Sequence, residues 1–140
     1  MTTNTIYKDV LMDHYRHPRN CSDVSLSDVV KRGSNPRCGD ELKIGVCFDH
    51  EILSDVKFQG RGCSVCMASA SMMTVSVTGE SREEAQRQSE RMKNWFDEKQ
   101  GDALEPPEPL YALSAVRKYP ARRRCVLLAW EALDSALTAE

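Results

Sequence analysis

Apolar side chains recur at nearly every second position in two neighbouring stretches, residues 42–48 and residues 52–58. Such alternation is typical of strands that bury one face, and the polar triplet at residues 49–51 predicts a turn between them. The two stretches therefore predict a hairpin. A short run at residues 26–31 is a candidate third strand, and Gly33 to Asp40 then predicts a turn.

Helical spacing of apolar residues accounts for most of the remaining chain. Caps and breakers mark the ends of these segments, among them a Ser-x-x-Glu capping box and a proline at a helix start. The predicted helices are residues 4–16, residues 63–77, one that opens at residues 81–84, a short one at 110–116 and a last one from Pro120. Residues 97–109 predict an acidic, proline-bearing loop.

Strands that are separated along the chain from most of the helices indicate an α+β fold. We expect a small three-stranded antiparallel sheet with helices packed on one face, within a single domain over residues 1–140. The other face of the sheet should be polar, because Lys43, Asp55 and Lys57 alternate onto it.

The charge balance argues against a nucleic-acid partner, since 19 Lys and Arg residues are offset by 21 Asp and Glu residues. Apolar runs are too short to span a membrane. The polar N-terminus carries no apolar signal region, which predicts a cytoplasmic protein. In that reducing compartment, six cysteines favour metal or sulfur chemistry over disulfides.

Two cysteines stand in settings that suit chemistry. Cys38 and Asp40 flank a glycine in one turn and offer two anionic ligands of kinds that zinc accepts, although a turn cysteine without a role fits this turn equally well. Cys63 follows Gly-Arg-Gly at a predicted helix start, where the helix dipole favours a thiolate. A small buried residue at a helix start is the alternative interpretation of Cys63.

Cys125 lies in the first turns of the last predicted helix, directly after three arginines. Cations at a helix N-terminus oppose the helix dipole, and such a departure from local preference points to a function. Arg122 and Arg124 could lower the pKa of a neighbouring thiol or meet an acidic partner. Arg123 fits a solvated basic face better.

Cys66 forms a C-x-x-C pair with Cys63, a spacing that suits a metal clamp or a redox pair. The surrounding helix is rich in alanine and serine, which favours a small core residue instead. Of the other candidates by residue type, His14 is interpreted as packed, His17 and His50 as exposed, and Cys21 and Cys47 as incidental.

Four segments carry a family pattern across nearly the whole chain: IYKDVLMDHYRHPRN, NPRCGDELKI, KFQGRGCSVCMASASMMT and KYPARRRCVLLAWEAL. Together they resemble the U-type iron–sulfur assembly family, which includes IscU, NifU and SufU. The resemblance is specific, because the cysteines, the glycines and the A-S-A-S stretch fall in the expected order.

Two features indicate the SufU-type branch of this family. Arg124 stands where IscU-type scaffolds carry a histidine immediately before a ligand cysteine. Residues 80–118 resemble the extra segment that SufU-type proteins carry between the second and third of these cysteines. We expect this segment, a helix plus the acidic loop, to be an insertion within the single domain.

The resemblance implies a zinc-dependent sulfurtransferase with one Zn²⁺ per chain. Cys38, Asp40, Cys63 and Cys125 match the family's zinc ligands, and Cys38 matches the cysteine that accepts sulfur from a SufS-type cysteine desulfurase. Arg122 matches an arginine of the Pro-Ala-Arg motif near the site, so Cys38 and Arg122 are the expected catalytic residues. The implied partners are the desulfurase, whose turnover is stimulated, and a downstream iron–sulfur assembly scaffold.

Other functions for the same residues stay open. The same thiolates could hold an iron–sulfur cluster, which would make the chain a scaffold on which a cluster is assembled and transferred. A purely structural zinc would make it an adaptor that regulates the desulfurase. Cys66 departs from the resemblance, since relatives usually carry serine there, and its thiol could be neutral or compete for zinc or sulfur.

Overall fold

The computed structural model describes residues 3–36, 39–97, 106 and 109–139. Each predicted helix and strand is present, with altered ends in several cases, while most of the predicted acidic loop at 97–109 lies outside the described residues. The elements in chain order are α1 (Thr3–Arg16), β1 (Val29–Asn35), β2 (Asp40–Asp49), β3 (Ile52–Arg61), α2 (Ser64–Val77), α3 (Arg82–Trp95), a 3₁₀ helix (Leu110–Lys118) and α4 (Pro120–Thr138).

The three strands form one antiparallel sheet in the order β1-β2-β3. Helices α2 and α4 pack against one face of this sheet. The alternating apolar residues of β2 and β3 point to those helices and are fully buried: Leu42, Ile44, Val46, Val56 and Phe58. The structure therefore confirms the α+β fold with helices on one face.

β1 begins later and extends further than the sequence predicts. Gly33, predicted to open a turn, instead pairs with Leu42 inside the sheet. A Cβ atom at Gly33 would lie 3.1 Å from Cδ1 of Leu128, so α4 crosses the sheet closely at this point. The glycine thus allows a helix to approach a strand, and β1 stays paired with β2 as far as Asn35 and Asp40.

β3 also continues past its predicted end. Gly60 and Arg61 pair with Leu42 and Glu41, so the Gly-Arg-Gly stretch does not break the strand until after Arg61. Gly60 has a φ of 142°, and a Cβ atom there would lie 2.1 Å from the Glu41 carbonyl oxygen, so only glycine fits. The start of β2 and the end of β3 therefore lie side by side.

The second face of the sheet is less polar and less open than predicted. The segment at 21–28 lies over its middle, where Val24 is buried and its N–H donates to Oε1 of Gln59 at 2.8 Å. A Cβ atom at Gly45 would lie 2.7 Å from Cβ of Val24. The prediction of a polar face is wrong at this point, because a glycine in β2 leaves room for a covering segment.

A buried polar contact joins α1 to α2, as predicted for a packed histidine. His14 is only 6% exposed, and its Nδ1 lies 2.8 Å from Oγ of Ser71, which also accepts from the Arg19 N–H at 2.9 Å. Burial lowers the pKa of His14 from its ordinary value. His17 and His50 are exposed, as predicted.

Candidate metal centre

Asp40, Cys63 and Cys125 come together at one end of the sheet. Asp40 is the first residue of β2, Cys63 caps the N-terminus of α2, and Cys125 lies in the early turns of α4. One ligand atom from each of the three residues lies within 4.8 Å of the others. The antiparallel pairing of β2 with β3 brings Asp40 to Cys63, and the packing of α4 on the sheet brings Cys125 to both.

Cys63 forms the corner between β3 and α2. It has an extended backbone, and its Sγ accepts the N–H of Cys66 at 3.4 Å. The backbone N–H of Cys63 itself donates to Oδ1 of Asp40 at 2.9 Å. Helix α2 starts one residue later than predicted, because Cys63 is its cap rather than its first residue.

Gly62 is a site residue whose role the sequence analysis did not identify. A Cβ atom there would lie 2.9 Å from Oδ1 of Asp40 and 3.0 Å from Sγ of Cys66. Both distances are shorter than ordinary contacts, so a side chain at this position would push into the centre. The Gly-Arg-Gly spacing before Cys63 was the available signal, but it was interpreted as a strand break.

The carboxylate of Asp40 is buried and incompletely satisfied. Its side chain is 2% exposed, and no N–H or O–H group of residues 3–36, 39–97, 106 and 109–139 donates to Oδ2. A buried carboxylate oxygen without such a donor is costly, and a bound cation would remove that cost. Together with two thiols, this oxygen makes a donor set of the kinds that zinc prefers. The residues present therefore fit a zinc ion.

The thiol of Cys125 lies in surroundings that favour its protonated form. Burial, reinforced by the neighbouring Cys63 and Asp40, raises the pKa of Cys125 well above its ordinary value. The expectation that the arginines would lower a neighbouring thiol's pKa is therefore wrong for Cys125, because desolvation and the anionic neighbours outweigh them.

The three arginines before Cys125 have different environments. Arg122 is exposed beside the centre, where the negative charge of Cys63 raises the pKa of its guanidinium, with a smaller effect from Cys125. Arg123 is half-buried, and its Nη2 donates to the carbonyl of Arg117 at 3.4 Å, so its prediction as a solvated residue is wrong. Arg124 is exposed.

Cys38, the fourth predicted ligand, lies outside the described residues. It precedes Asp40 by two positions in the sequence, and the intervening Gly39 has a φ of 71°. Glycine adopts such a backbone conformation without steric cost. Its role as ligand and sulfur acceptor remains a prediction.

An apolar groove with a volume of about 500 Å³ opens beside Arg122. Tyr119, which is 60% exposed, and Val65 of α2 contribute to its wall. The only local signal for this groove in the sequence is a tyrosine directly before Pro120, and its pattern does not predict a groove.

Comparison with known proteins decides the family. Residues 6–139 match the profile of the NifU-like N terminal domain. The chain belongs to the NifU-like N-terminal domain family. This confirms the resemblance to U-type iron–sulfur assembly proteins that the four sequence segments indicate.

Relatives of two kinds within the NifU-like family are similar to this chain. The zinc-dependent sulfurtransferase SufU of Bacillus subtilis (strain 168) is 39% identical, over 98% of this chain and 92% of that protein. The iron–sulfur cluster assembly scaffold protein IscU of Streptococcus pyogenes serotype M1 is 34% identical, over 96% of this chain and 84% of that protein.

A solved structure of the family confirms the fold. The putative iron–sulfur cluster assembly scaffold protein for the SUF system from Fervidobacterium islandicum AW-1 superposes with a TM-score of 0.83 and 29% identity. The match covers 98% of this chain and 100% of that one. In the part of the chain that the structure describes, no helix has the length and apolar character needed to cross a bilayer.

Proposed function

We propose that this chain is a zinc-dependent sulfurtransferase that accepts persulfide sulfur from a cysteine desulfurase and passes it to iron–sulfur cluster assembly. The observation that carries the proposal is the convergence of Asp40, Cys63 and Cys125 around a buried carboxylate oxygen that lacks an N–H or O–H donor. Similarity to the zinc-dependent sulfurtransferase SufU over 98% of the chain supports both the metal and the reaction.

The proposed ligands divide into a buried set and a turn residue. Asp40 and Cys125 are buried, and Cys63 is half-buried at the helix cap, so these three are suited to a fixed role. Cys38, in the turn that the sequence predicts before Asp40, would complete the set. Zinc, when bound, would keep the cysteine thiols deprotonated, and it has no redox chemistry of its own.

The sulfur-transfer step is assigned to Cys38. Its thiolate attacks the terminal sulfur of the desulfurase persulfide, so that a new S–S bond forms on Cys38 and the desulfurase cysteine leaves as a thiolate. Arg122 is exposed beside the centre and can pair with the negative charge of the incoming persulfide. The partner supplying that persulfide is a SufS-type desulfurase in the cytoplasm, and a downstream iron–sulfur scaffold receives the sulfur.

The test combines metal analysis with a desulfurase assay. We expect one zinc per chain and faster alanine release from cysteine when the chain is added to a SufS-type desulfurase. Cys38→Ala should abolish the stimulation, while the control Cys47→Ala, at the far end of β2, should retain it. Undiminished stimulation by Cys38→Ala would refute the sulfur-acceptor role and favour the adaptor alternative.

The second candidate function is a scaffold for iron–sulfur cluster assembly. Similarity to the scaffold protein IscU supports it, because the same thiols and carboxylate could hold a cluster. The two functions differ in the isolated protein, which should be colourless and zinc-loaded as a transferase and brown as a scaffold. Retention of a cluster after anaerobic reconstitution, with zinc displaced, would favour the scaffold.

A further inference from the structure

Cys63 caps the N-terminus of α2, and Cys66 lies at the third position of the same helical turn. The N–H of Cys66 donates to Sγ of Cys63, and the N–H of Met67 closes the turn on the carbonyl of Cys63 at 3.0 Å. The side chain at the third helical position can turn back toward the cap residue. The thiol of Cys66 does so, since its Sγ lies 3.0 Å from where a Cβ atom of Gly62 would be.

We propose that Cys63 and Cys66 form a reversible disulfide within this helical turn, and that this modification competes with metal binding at Cys63. The C-x-x-C spacing at a helix N-terminus is one at which a disulfide forms without unwinding the helix. The disulfide itself depends only on the two thiols, whereas its competition with zinc rests on the proposed function.

The exposure of the two cysteines sets the order of the reaction. Cys63 is half-buried at the helix cap, so a small oxidant can reach its sulfur. Cys66 is fully buried, so its thiol cannot reach an external disulfide directly. Cys63 is therefore the attacking thiol and Cys66 the resolving one.

The oxidant is a small-molecule disulfide such as oxidised glutathione. The Cys63 thiolate attacks one glutathione sulfur, forming a mixed disulfide and releasing one glutathione thiolate. Cys66 then loses its proton and attacks the Cys63 sulfur, which releases the second glutathione thiolate. Two protein thiols are oxidised by two electrons in total, and one glutathione disulfide is reduced to two glutathione molecules.

The modification changes what the centre can bind. A sulfur engaged in a disulfide is not a thiolate ligand, so Asp40 and Cys125 would lose one member of their three-ligand group. Conversely, a metal on Cys63 occupies the electron pair that must attack the oxidant. Zinc and the disulfide therefore exclude each other at this position.

Peptide mapping of the full-length protein tests the disulfide directly. Metal-free and zinc-loaded samples are equilibrated in glutathione redox buffers, remaining thiols are alkylated, and trypsin releases residues 62–82, which contain Cys63 and Cys66 and no other cysteine. We expect this peptide to be unalkylated and two hydrogens lighter than its reduced form. The disulfide should be reversed by reductant and should form more slowly when zinc is present.

The control variant is Cys66→Ser, which keeps a small residue at the third helical position. Its peptide should carry only a glutathione adduct or an alkylated Cys63. Two alkylated thiols in the wild-type peptide under oxidising buffer, or Cys63 joined to a different peptide, would overturn the disulfide. Equal oxidation rates with and without zinc would overturn the competition and the ligand role of Cys63, while the disulfide would stand.

Discussion

The backbone N–H of Cys63 donates a hydrogen bond to Oδ1 of Asp40 at 2.9 Å, and this contact joins the cap of α2 to the first residue of β2. Because one carboxylate oxygen is used in this way, Oδ2 remains as the atom without an N–H or O–H donor among the described residues. The helix cap thus orients the carboxylate and leaves the second oxygen for a cation.

Replacing Asp40 by asparagine should have opposite effects with and without metal. The amide oxygen can still accept from Cys63, but the charge that compensates a cation is lost, so zinc affinity should fall by about tenfold or more. In the metal-free protein the variant should be at least as stable as wild type, because a buried charge lacking a donor is removed. Thermal melts with and without zinc measure both effects.

A matched control for this variant is Glu41→Gln, since Glu41 is the next residue and is half-buried in an ion pair with Arg32. It should leave zinc affinity unchanged. An equal loss of melting temperature in Asp40→Asn with and without zinc would show that Asp40 is structural rather than a metal ligand.

Gly62→Ala should damage the centre itself. Its Cβ would press on Oδ1 of Asp40 and Sγ of Cys66, so we expect a loss of about 1–3 kcal/mol in stability together with weaker zinc binding. Gly33→Ala presses instead on Leu128 in the core and should lower stability while leaving zinc affinity intact. Calorimetric zinc titration of both folded variants separates them, and unchanged affinity in Gly62→Ala would contradict the geometry.

Much of the fold follows from local pattern. The alternation in β2 and β3 predicted which side chains face the helices, and the helix cap predicted at Ser81 is confirmed, since Ser81 Oγ accepts the N–H of Glu84 at 3.1 Å. The ends of β1 and β3 could not be predicted, because Gly33 and Gly60 resemble turn residues in sequence. Glycine is needed at these two positions because Leu128 packs closely on Gly33 and Glu41 on Gly60, and only the folded chain creates these contacts.

The grouping of the candidate ligands could not be predicted from local sequence either. Local sequence indicates chemistry at Cys63 and, more weakly, at Asp40 and Cys125, but nothing local states that the three meet. Their grouping came from the family resemblance, and the structure brings together these three of the four predicted ligands. The burial that raises the pKa of Cys125 depends on packing around α4 and could not be inferred from neighbouring arginines.

Arg122→Ala should separate metal binding from sulfur transfer. The guanidinium lies beside the thiols but carries a positive charge, so its loss should not weaken zinc binding. Sulfur acceptance should slow by about tenfold, because the charge that pairs with the incoming persulfide is gone. Single-turnover transfer from a persulfidated desulfurase measures this rate, with Arg124→Ala, an exposed neighbour, as the control. A loss of zinc in Arg122→Ala would indicate a structural role instead.

The contact between His14 and Ser71 should make the protein sensitive to acid. Burial lowers the pKa of His14 in the folded state, so its contribution to stability is present above its ordinary value of 6.5 and is lost as the pH falls through the lowered value. The free energy of unfolding should therefore fall below pH 6.5 in wild type and fall less in His14→Gln. Urea unfolding across this pH range measures the difference. His17→Gln, at an exposed position, should behave as wild type. If the free energy of unfolding depended on pH in the same way in all three proteins, His14 would not be the source of the acid sensitivity.

The central claim is that this chain carries sulfur on Cys38 while the other three ligands hold the metal. The most direct measurement is mass spectrometry of the zinc-loaded protein after incubation with cysteine and a SufS-type desulfurase, followed by trypsin. Cys38 falls on a peptide, residues 38–43, that contains no other cysteine. We predict that this peptide gains one sulfur atom, whereas the peptides bearing Cys63 and Cys125 do not. Added sulfur on either of those peptides, or none on any, would contradict the account.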